Sequence, residues 1–237
     1  LLRSIDLLWP LAHGQRVLVD AVPAAGRTTL LRALAGALAA RDDLELVILL
    51  IDERPEEVAA WRDAAPGAEL AVATGDMRTG EQLRLVELAF GRATRRAEAG
   101  TDVVLLVDSL SRIAVAADDP GRVKPIFGAG RETAEEDLGS LTVIATTLRE
   151  GDAPDGAGRA LDTTESTLIA LDRGLAAMGT FPAFDVGSSR IAGEEELRDE
   201  AELADARELR TELAGLEPGE AAERLRARAE ASASALS

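Results

Sequence analysis

The sequence predicts a doubly wound α/β fold: a largely parallel sheet flanked by helices, followed by a C-terminal helical hairpin. Three observations predict it. Six short runs rich in Val, Ile and Leu, at residues 16–22, 46–51, 70–74, 103–107, 141–146 and 168–171, are largely apolar at both alternating sets of positions, as strands buried on both faces of a parallel sheet are. Between them, residues 28–40, 56–64, 80–99 and a stretch near 131–137 mix polar and apolar positions at helical spacing, and alternating β and α units place helices on both sides of one sheet. Beyond Gly193 the chain turns charged and helical over 194–213 and 218–232, divided by Gly215-Leu216-Glu217-Pro218. The expected organisation is a nucleotide-binding domain over 1–192 and a helical segment, 193–237, packed on it. Residues 150–158, EGDAPDGAG, read as an exposed acidic loop. There is no internal repeat.

Length and composition narrow the function. A chain of 237 residues, 46% hydrophobic with 21 Gly and 9 Pro, is large enough to bury a core and shows neither a disordered nor a fibrous composition. Its 26 basic and 43 acidic residues give a net charge of −17, which excludes a broadly basic nucleic-acid surface. The absence of cysteine removes disulfides, thiol nucleophiles and thiolate metal sites, and the single histidine, His13, removes a multi-histidine metal centre and argues against hydrolysis by a Ser/His/Asp triad. No apolar run approaches the roughly 18 to 20 residues that a membrane helix needs. The start, Leu1-Leu2-Arg3-Ser4, shows neither an initiator methionine nor a signal-peptide pattern, so the expected setting is cytoplasmic, with no membrane partner, and the chain reads as a domain cut from a longer one.

In open α/β sheets ligands bind beyond the carboxyl ends of the strands, so the residues just after each run carry the functional information. The first run leads through Ala21-Val22-Pro23-Ala24-Ala25-Gly26 into Arg27-Thr28-Thr29, a strand, a turn of small residues and a helix. Phosphate binding needs such a turn with inward backbone N–H groups, a helix N-terminus aimed at the anion, a cation and a hydroxyl for Mg²⁺. Gly26 is then the turn glycine, Arg27 stands at the cation position and Thr28 supplies the hydroxyl. Against G-x-x-x-x-G-K-[ST], Ala21 replaces the first glycine and Arg27 the lysine, so these residues alone also fit a plain strand-turn-helix connection.

The second run ends in Asp52-Glu53-Arg54-Pro55-Glu56-Glu57. A carboxylate at a strand's carboxyl end can orient and deprotonate an attacking water, and Glu53 is the candidate. Glu56 and Glu57 favour the first turn of a helix begun by Pro55, which leaves Asp52, Glu53 and Arg54 without a purely structural reason. The fourth run ends in Asp108-Ser109. An aspartate there holds Mg²⁺ from a second strand end in nucleotide enzymes, though it is also a common helix cap.

These segments, GQRVLVDAVPAAGRTTLL, VILLIDERPEEV, DVVLLVDSLSRIA, FGAGRE, GSLTVIATTL, FPAFDV and RELRTELAGLEPGEAAERL, together and in this order resemble the ATPase domain of transcription termination factor Rho, from Ile5 to about Arg226. IDERPEEV is the most specific of them. The resemblance implies a RecA-like P-loop NTPase fold, a homo-hexamer with active sites between subunits, ATP and Mg²⁺ as cofactors, and RNA translocation linked to RNA polymerase. It makes Ala21 to Thr28 the phosphate loop, with Thr29 following, Thr28 and Asp108 the metal residues, Glu53 the catalytic base and Arg54 its partner in placing water. Phe181, in Phe181-Pro182-Ala183, resembles the aromatic that stacks on adenine. The family's arginine finger follows the same block, and here Arg190 arrives two positions early, Ala192 standing at the ungapped position.

Other departures concern the loop cation and RNA. Guanidinium is larger than ammonium and planar, so Arg27 is not a conservative replacement; Lys124, the only lysine, lies far along the chain. Most of the family's long pore loop is missing between Arg112 and Phe127, its second RNA-contacting loop falls on the acidic residues 150–158, and its separate RNA-binding domain would precede Leu1. Arg122 and Arg131 are the arginines left to line a pore. The leading expectation is an ATP-dependent RNA translocase or helicase module in transcription termination. The alternative is a nucleotide-binding paralogue of weakened catalysis, acting as a regulatory or assembly subunit. A rotary ATP-synthase-type subunit stands third, because the IDERPEE block does not belong to it.

Overall fold

In the computed structural model, which describes residues 1–131, 138–151 and 153–234, all six apolar runs are strands of one sheet. In chain order the elements are α1 (Leu2–Leu8), β1 (Arg16–Ala21), α2 (Arg27–Ala39), β2 (Glu45–Glu53), α3 (Pro55–Ala64), β3 (Glu69–Thr74), α4 (Thr79–Glu98), β4 (Val103–Asp108), α5 (Leu110–Ala117), α6 (Lys124–Phe127), β5 (Leu141–Glu150), β6 (Ala153–Pro154), α7 (Gly156–Leu161), β7 (Thr167–Leu171), α8 (Arg173–Ala177), β8 (Phe184–Ile191), α9 (Glu200–Ala214) and α10 (Pro218–Ser234). The main strand order is β3-β2-β4-β5-β1-β7-β8, with β6 paired to the end of β5. Every pairing is parallel except β7 with β8 and β5 with β6.

Alternate side chains of the central strands feed two cores. Val17, Val19, Ile48, Leu50, Val104 and Leu106 face α1, α2, α3, α9 and α10, meeting Leu8, Trp9, Leu30, Trp61, Leu213 and Leu225. Leu18, Leu49, Leu105, Val107 and Val143 face the other layer, meeting Val86, Ala93, Ile113, Phe127 and Leu161. Burial on both faces is why these strands read as continuous apolar runs. The close approach of α2 to α3 depends on Gly36, where an added Cβ would lie 2.8 Å from the Ala64 carbonyl oxygen.

The helices after residue 193 share the first core through Leu209, Leu213 and Leu225. They are pinned by Glu194, which is buried and takes ion pairs from Arg198 at 3.0 Å and from Arg210. Arg210 also donates to the Leu8 carbonyl at 2.6 Å, and Arg198 to that of Leu7 at 3.1 Å, satisfying the C-terminal end of α1.

Several local expectations change. Residues 150–158 are not a plain loop: β5 turns back on itself through the Arg149–Pro154 pairing, and α7 starts at once because Asp155 accepts from the Gly158 N–H at 2.8 Å. The helix expected from 194 begins as a 3-10 turn, Glu194–Glu196, and restarts at the capping box of Asp199 and Glu202. Of the helical stretch near 131–137, Arg131 instead bridges to Leu141 and the remainder lies outside the described residues. The short helices α1, α5 and α8 and the edge strand β8 lie outside the expected elements; β8 is mostly solvated and reads Gly-Ser-Ser at its centre.

Candidate functional site

The start of α2 and the middle of β5 converge on the carboxylate that ends β4. Asp108, the last residue of β4, has no exposed surface. The Thr28 hydroxyl, in the first turn of α2, donates to its Oδ2 at 3.0 Å, and the Thr146 hydroxyl of β5 donates to its Oδ1 at 2.9 Å. Thr146 is in place because β5 runs between β4 and β1, with Thr146 opposite Val19 and Ala145 opposite Val107. The Arg27 Nε lies 3.4 Å from Asp108 Oδ1, a charge contact without hydrogen-bond geometry, and Nε and Nη1 are both buried without a hydrogen-bond partner.

The turn before them has the features an anion site needs. Ala21 ends β1; Val22, Pro23 and Ala24 form the turn, with Ala24 at φ 65°; Ala25 is buried; Gly26 adopts φ 86° as the residue before α2. Only glycine takes that conformation without strain. No side chain caps α2 and its first turn holds no acid, so the N–H groups there are left for an external acceptor. Thr29 points outward. Phe181 is partly exposed and lies against the turn, its ring 3.8 Å from where a Gly26 Cβ would be. It lines a cavity of about 620 Å³ with Ala33, Phe184, Ala221 and Leu225.

Glu53, at the end of β2, is buried. A bulge between Ile51 and Glu53, with Asp52 at φ 55°, turns it inward while Asp52 faces out. Arg112 of α5 holds it, donating from Nη1 to the carbonyls of Ile51 at 2.7 Å and Asp52 at 3.0 Å and to the Glu53 carboxylate. Burial raises the Glu53 pKa, Arg112 opposes the rise and the Asp108 charge adds to it. Arg54 precedes α3 with an exposed side chain.

Thr28, Asp108 and Glu53 thus come together with the turn and Phe181. Arg190 does not join them. It lies on β8 opposite Leu168, three residues short of the Leu171 level at which β7 meets Ala21, about 10 Å at strand rise, and pairs with Glu165 and, at 3.9 Å, with Asp162. Arg122 and Arg131 pair with Glu87 and Glu98 of α4. Sequence reasoning missed Thr146 and the role of Arg112; a polar Thr146-Thr147 pair at the end of an apolar run was the available signal. Thr147 and Arg149 hold a second buried acid, Asp20, at 2.9 and 3.0 Å, and burial raises its pKa. His13 lies at the opposite end of the sheet, Nδ1 3.0 Å from Ser140 Oγ. Ser140 donates its own proton to Asp102 at 2.7 Å, so the cluster is a structural clasp and not a nucleophilic triad.

The donor set fits a nucleoside triphosphate: orphaned buried arginine N–H groups beside an uncapped helix start suit a polyanion. A hydroxyl 3.0 Å from a carboxylate suits an Mg²⁺ that keeps most of its waters. Among the described residues no group of three or more His, Cys, Asp or Glu forms a metal cage, so such an ion would rely on phosphate oxygens as well. No described helix is long and apolar enough to cross a membrane.

Comparison with known proteins agrees with the fold. The chain is 36% identical over 92% of its length to transcription termination factor Rho of Micrococcus luteus, covering 34% of that protein, and 37% identical over 94% to Rho of Streptosporangium roseum, covering 63%. It thus spans between about a third and two thirds of these relatives. An ATPase of a type III secretion system of pathogenic bacteria superposes with a TM-score of 0.76 at 26% identity, over 88% of this chain and 65% of that one. The assembled type III secretion ATPase EscN of enteropathogenic E. coli gives 0.76 at 28% identity, over 90% of this chain and 56% of that one. The similarity to Rho and the RecA-like P-loop ATPase fold expected from the motifs are both borne out. Residues 2–122, just over half of the chain and including the turn, Glu53 and Asp108, match the family model for the nucleotide-binding domain of the ATP synthase alpha/beta family, and the chain belongs to that family.

Proposed function

We propose that this chain is a Rho-like motor domain that binds ATP with Mg²⁺ and hydrolyses it, within a homo-hexamer that translocates on RNA during transcription termination in the cytoplasm. The contact that carries the reading is the Thr28 hydroxyl on Asp108 at 3.0 Å, which joins the phosphate turn to the carboxylate of a second strand end. In this reading the N–H groups from Ala24 to Thr29 and the Arg27 guanidinium hold the phosphates, with Ala21, Val22 and Pro23 shaping the turn, and Phe181 stacks on the base. Thr28 and Asp108 hold Mg²⁺, which when bound offsets phosphate charge. Glu53, held by Arg112, takes the proton of the attacking water, and the exposed Arg54 helps to place that water. Arg190 acts on a neighbouring subunit once it leaves Glu165. RNA and RNA polymerase enter through the similarity to Rho.

The second reading, a regulatory or assembly subunit that binds nucleotide without turnover, is favoured by two observations. The cation at the phosphate turn is an arginine paired to Asp108, and Arg190 is engaged with Glu165. Measuring ATP hydrolysis with and without single-stranded RNA separates the two. RNA-stimulated turnover that Glu53→Gln abolishes supports the motor, tight Mg-ATP binding without turnover supports the subunit, and calorimetry that detects no heat on Mg-ATP addition refutes both.

A further inference from the structure

We infer that Arg27 takes over part of the charge balance that a divalent cation supplies, so that this site binds a nucleoside triphosphate with little dependence on Mg²⁺. The inference rests on the nucleotide reading above and goes beyond it by assigning a consequence to the guanidinium.

Asp108 is fully buried, and a buried carboxylate must be neutralised by neighbouring charge and hydrogen bonds. Here that is already achieved: Thr28 serves Oδ2, Thr146 serves Oδ1, and Arg27 Nε lies 3.4 Å from Oδ1. A metal arriving at Asp108 therefore meets a carboxylate whose charge is largely offset, and its Coulombic gain falls accordingly. The same guanidinium keeps unspent donors. While its Nε faces Asp108, its Nη1 is buried with no hydrogen-bond partner, a costly condition for a protein N–H unless an acceptor from outside the chain completes it. The group immediately precedes Thr28 at an uncapped helix start, so the acceptor it suits is a phosphate oxygen.

An arginine spreads its N–H groups over three nitrogens of one rigid plane and serves a carboxylate and a phosphate at once. Lysine has one nitrogen, which serves the phosphates and leaves Asp108 to the metal. Arg27 thus stands between the acid and the phosphates where Mg²⁺ would otherwise be the only bridging cation.

The test is titration of ATP into the intact chain, by calorimetry or with a fluorescent ATP analogue, in Mg²⁺ and in excess EDTA, for the wild type and for Arg27→Lys. Circular dichroism melting establishes that both are folded. The expected result is a wild-type Kd that changes less than about threefold on removing the metal, against a loss of about tenfold or more in Arg27→Lys. Wild-type affinity that falls with EDTA as steeply as that of Arg27→Lys overturns the inference while leaving the nucleotide reading intact. Absence of ATP binding by the folded wild type in either buffer removes the nucleotide reading and this inference together.

Discussion

Glu53 shows how one residue's chemistry depends on neighbours distant in sequence. Burial lifts its pKa, the Asp108 charge lifts it further, and Arg112 pulls it down. A base must be ionised to accept a proton, so hydrolysis should fall on the acid side at a pH above that of an ordinary glutamate, as kcat measured against pH will show. Arg112→Leu removes the opposing charge and should move that limb to still higher pH; an unmoved limb would count against the Arg112 contact. Glu53→Gln should lower kcat by about 10²- to 10⁴-fold, the range for a general base, with Mg-ATP affinity in a calorimeter little changed. At this scale Thr28, Glu53 and Asp108 were legible because each ends an apolar run or opens a helix. Thr146 and Arg112 were not, because their roles depend on which strand lies beside β4 and on where α5 points.

Helices α2 and α4 make opposite predictions about glycine. Alanine is favoured over glycine in a helix interior by about 1 kcal/mol, so propensity alone makes either replacement stabilising. At Gly91 of α4 the new Cβ meets only the tip of the Arg95 side chain, at 3.3 Å, which can swing away. Gly91→Ala should therefore raise the Tm. At Gly36 of α2 it meets the Ala64 backbone oxygen at 2.8 Å, which cannot yield without moving α3, so Gly36→Ala should lower the Tm in the same thermal melt. The C-terminal helices make a third case. Arg210→Ala leaves buried Glu194 with Arg198 alone and the Leu8 carbonyl without its donor, and should cost about 3 kcal/mol in denaturant unfolding, as loss of one partner of a buried ion pair does. The long helices were expected from polar and apolar residues mixed at helical spacing, whereas α1, of seven residues, is too short to hold by itself and is fixed by tertiary partners such as Arg210.

For the whole molecule, a net charge of −17 works against unaided binding to a polyanion, so any RNA contact must be local and carried by arginines, since there is one lysine. Arg122 and Arg131, which the sequence offered for a pore, are paired with acids of α4 here. The shared-site reading makes a hydrodynamic prediction. Sedimentation in Mg-ATP should give a species several times the 24.9 kDa of one chain, and a sole monomer peak would remove the proposed trans role of Arg190. The amino-acid order by itself determined the alternation of strands and helices and singled out three strand ends as a candidate site, because burial on both sheet faces and the demands of a phosphate turn leave local patterns. Only the tertiary structure decided the strand order that seats Thr146 on Asp108, the contact between Arg27 and that same carboxylate, and the engagement of Arg190 with Glu165. Those depend on which distant segments become neighbours, and a residue pattern along the chain carries no record of that.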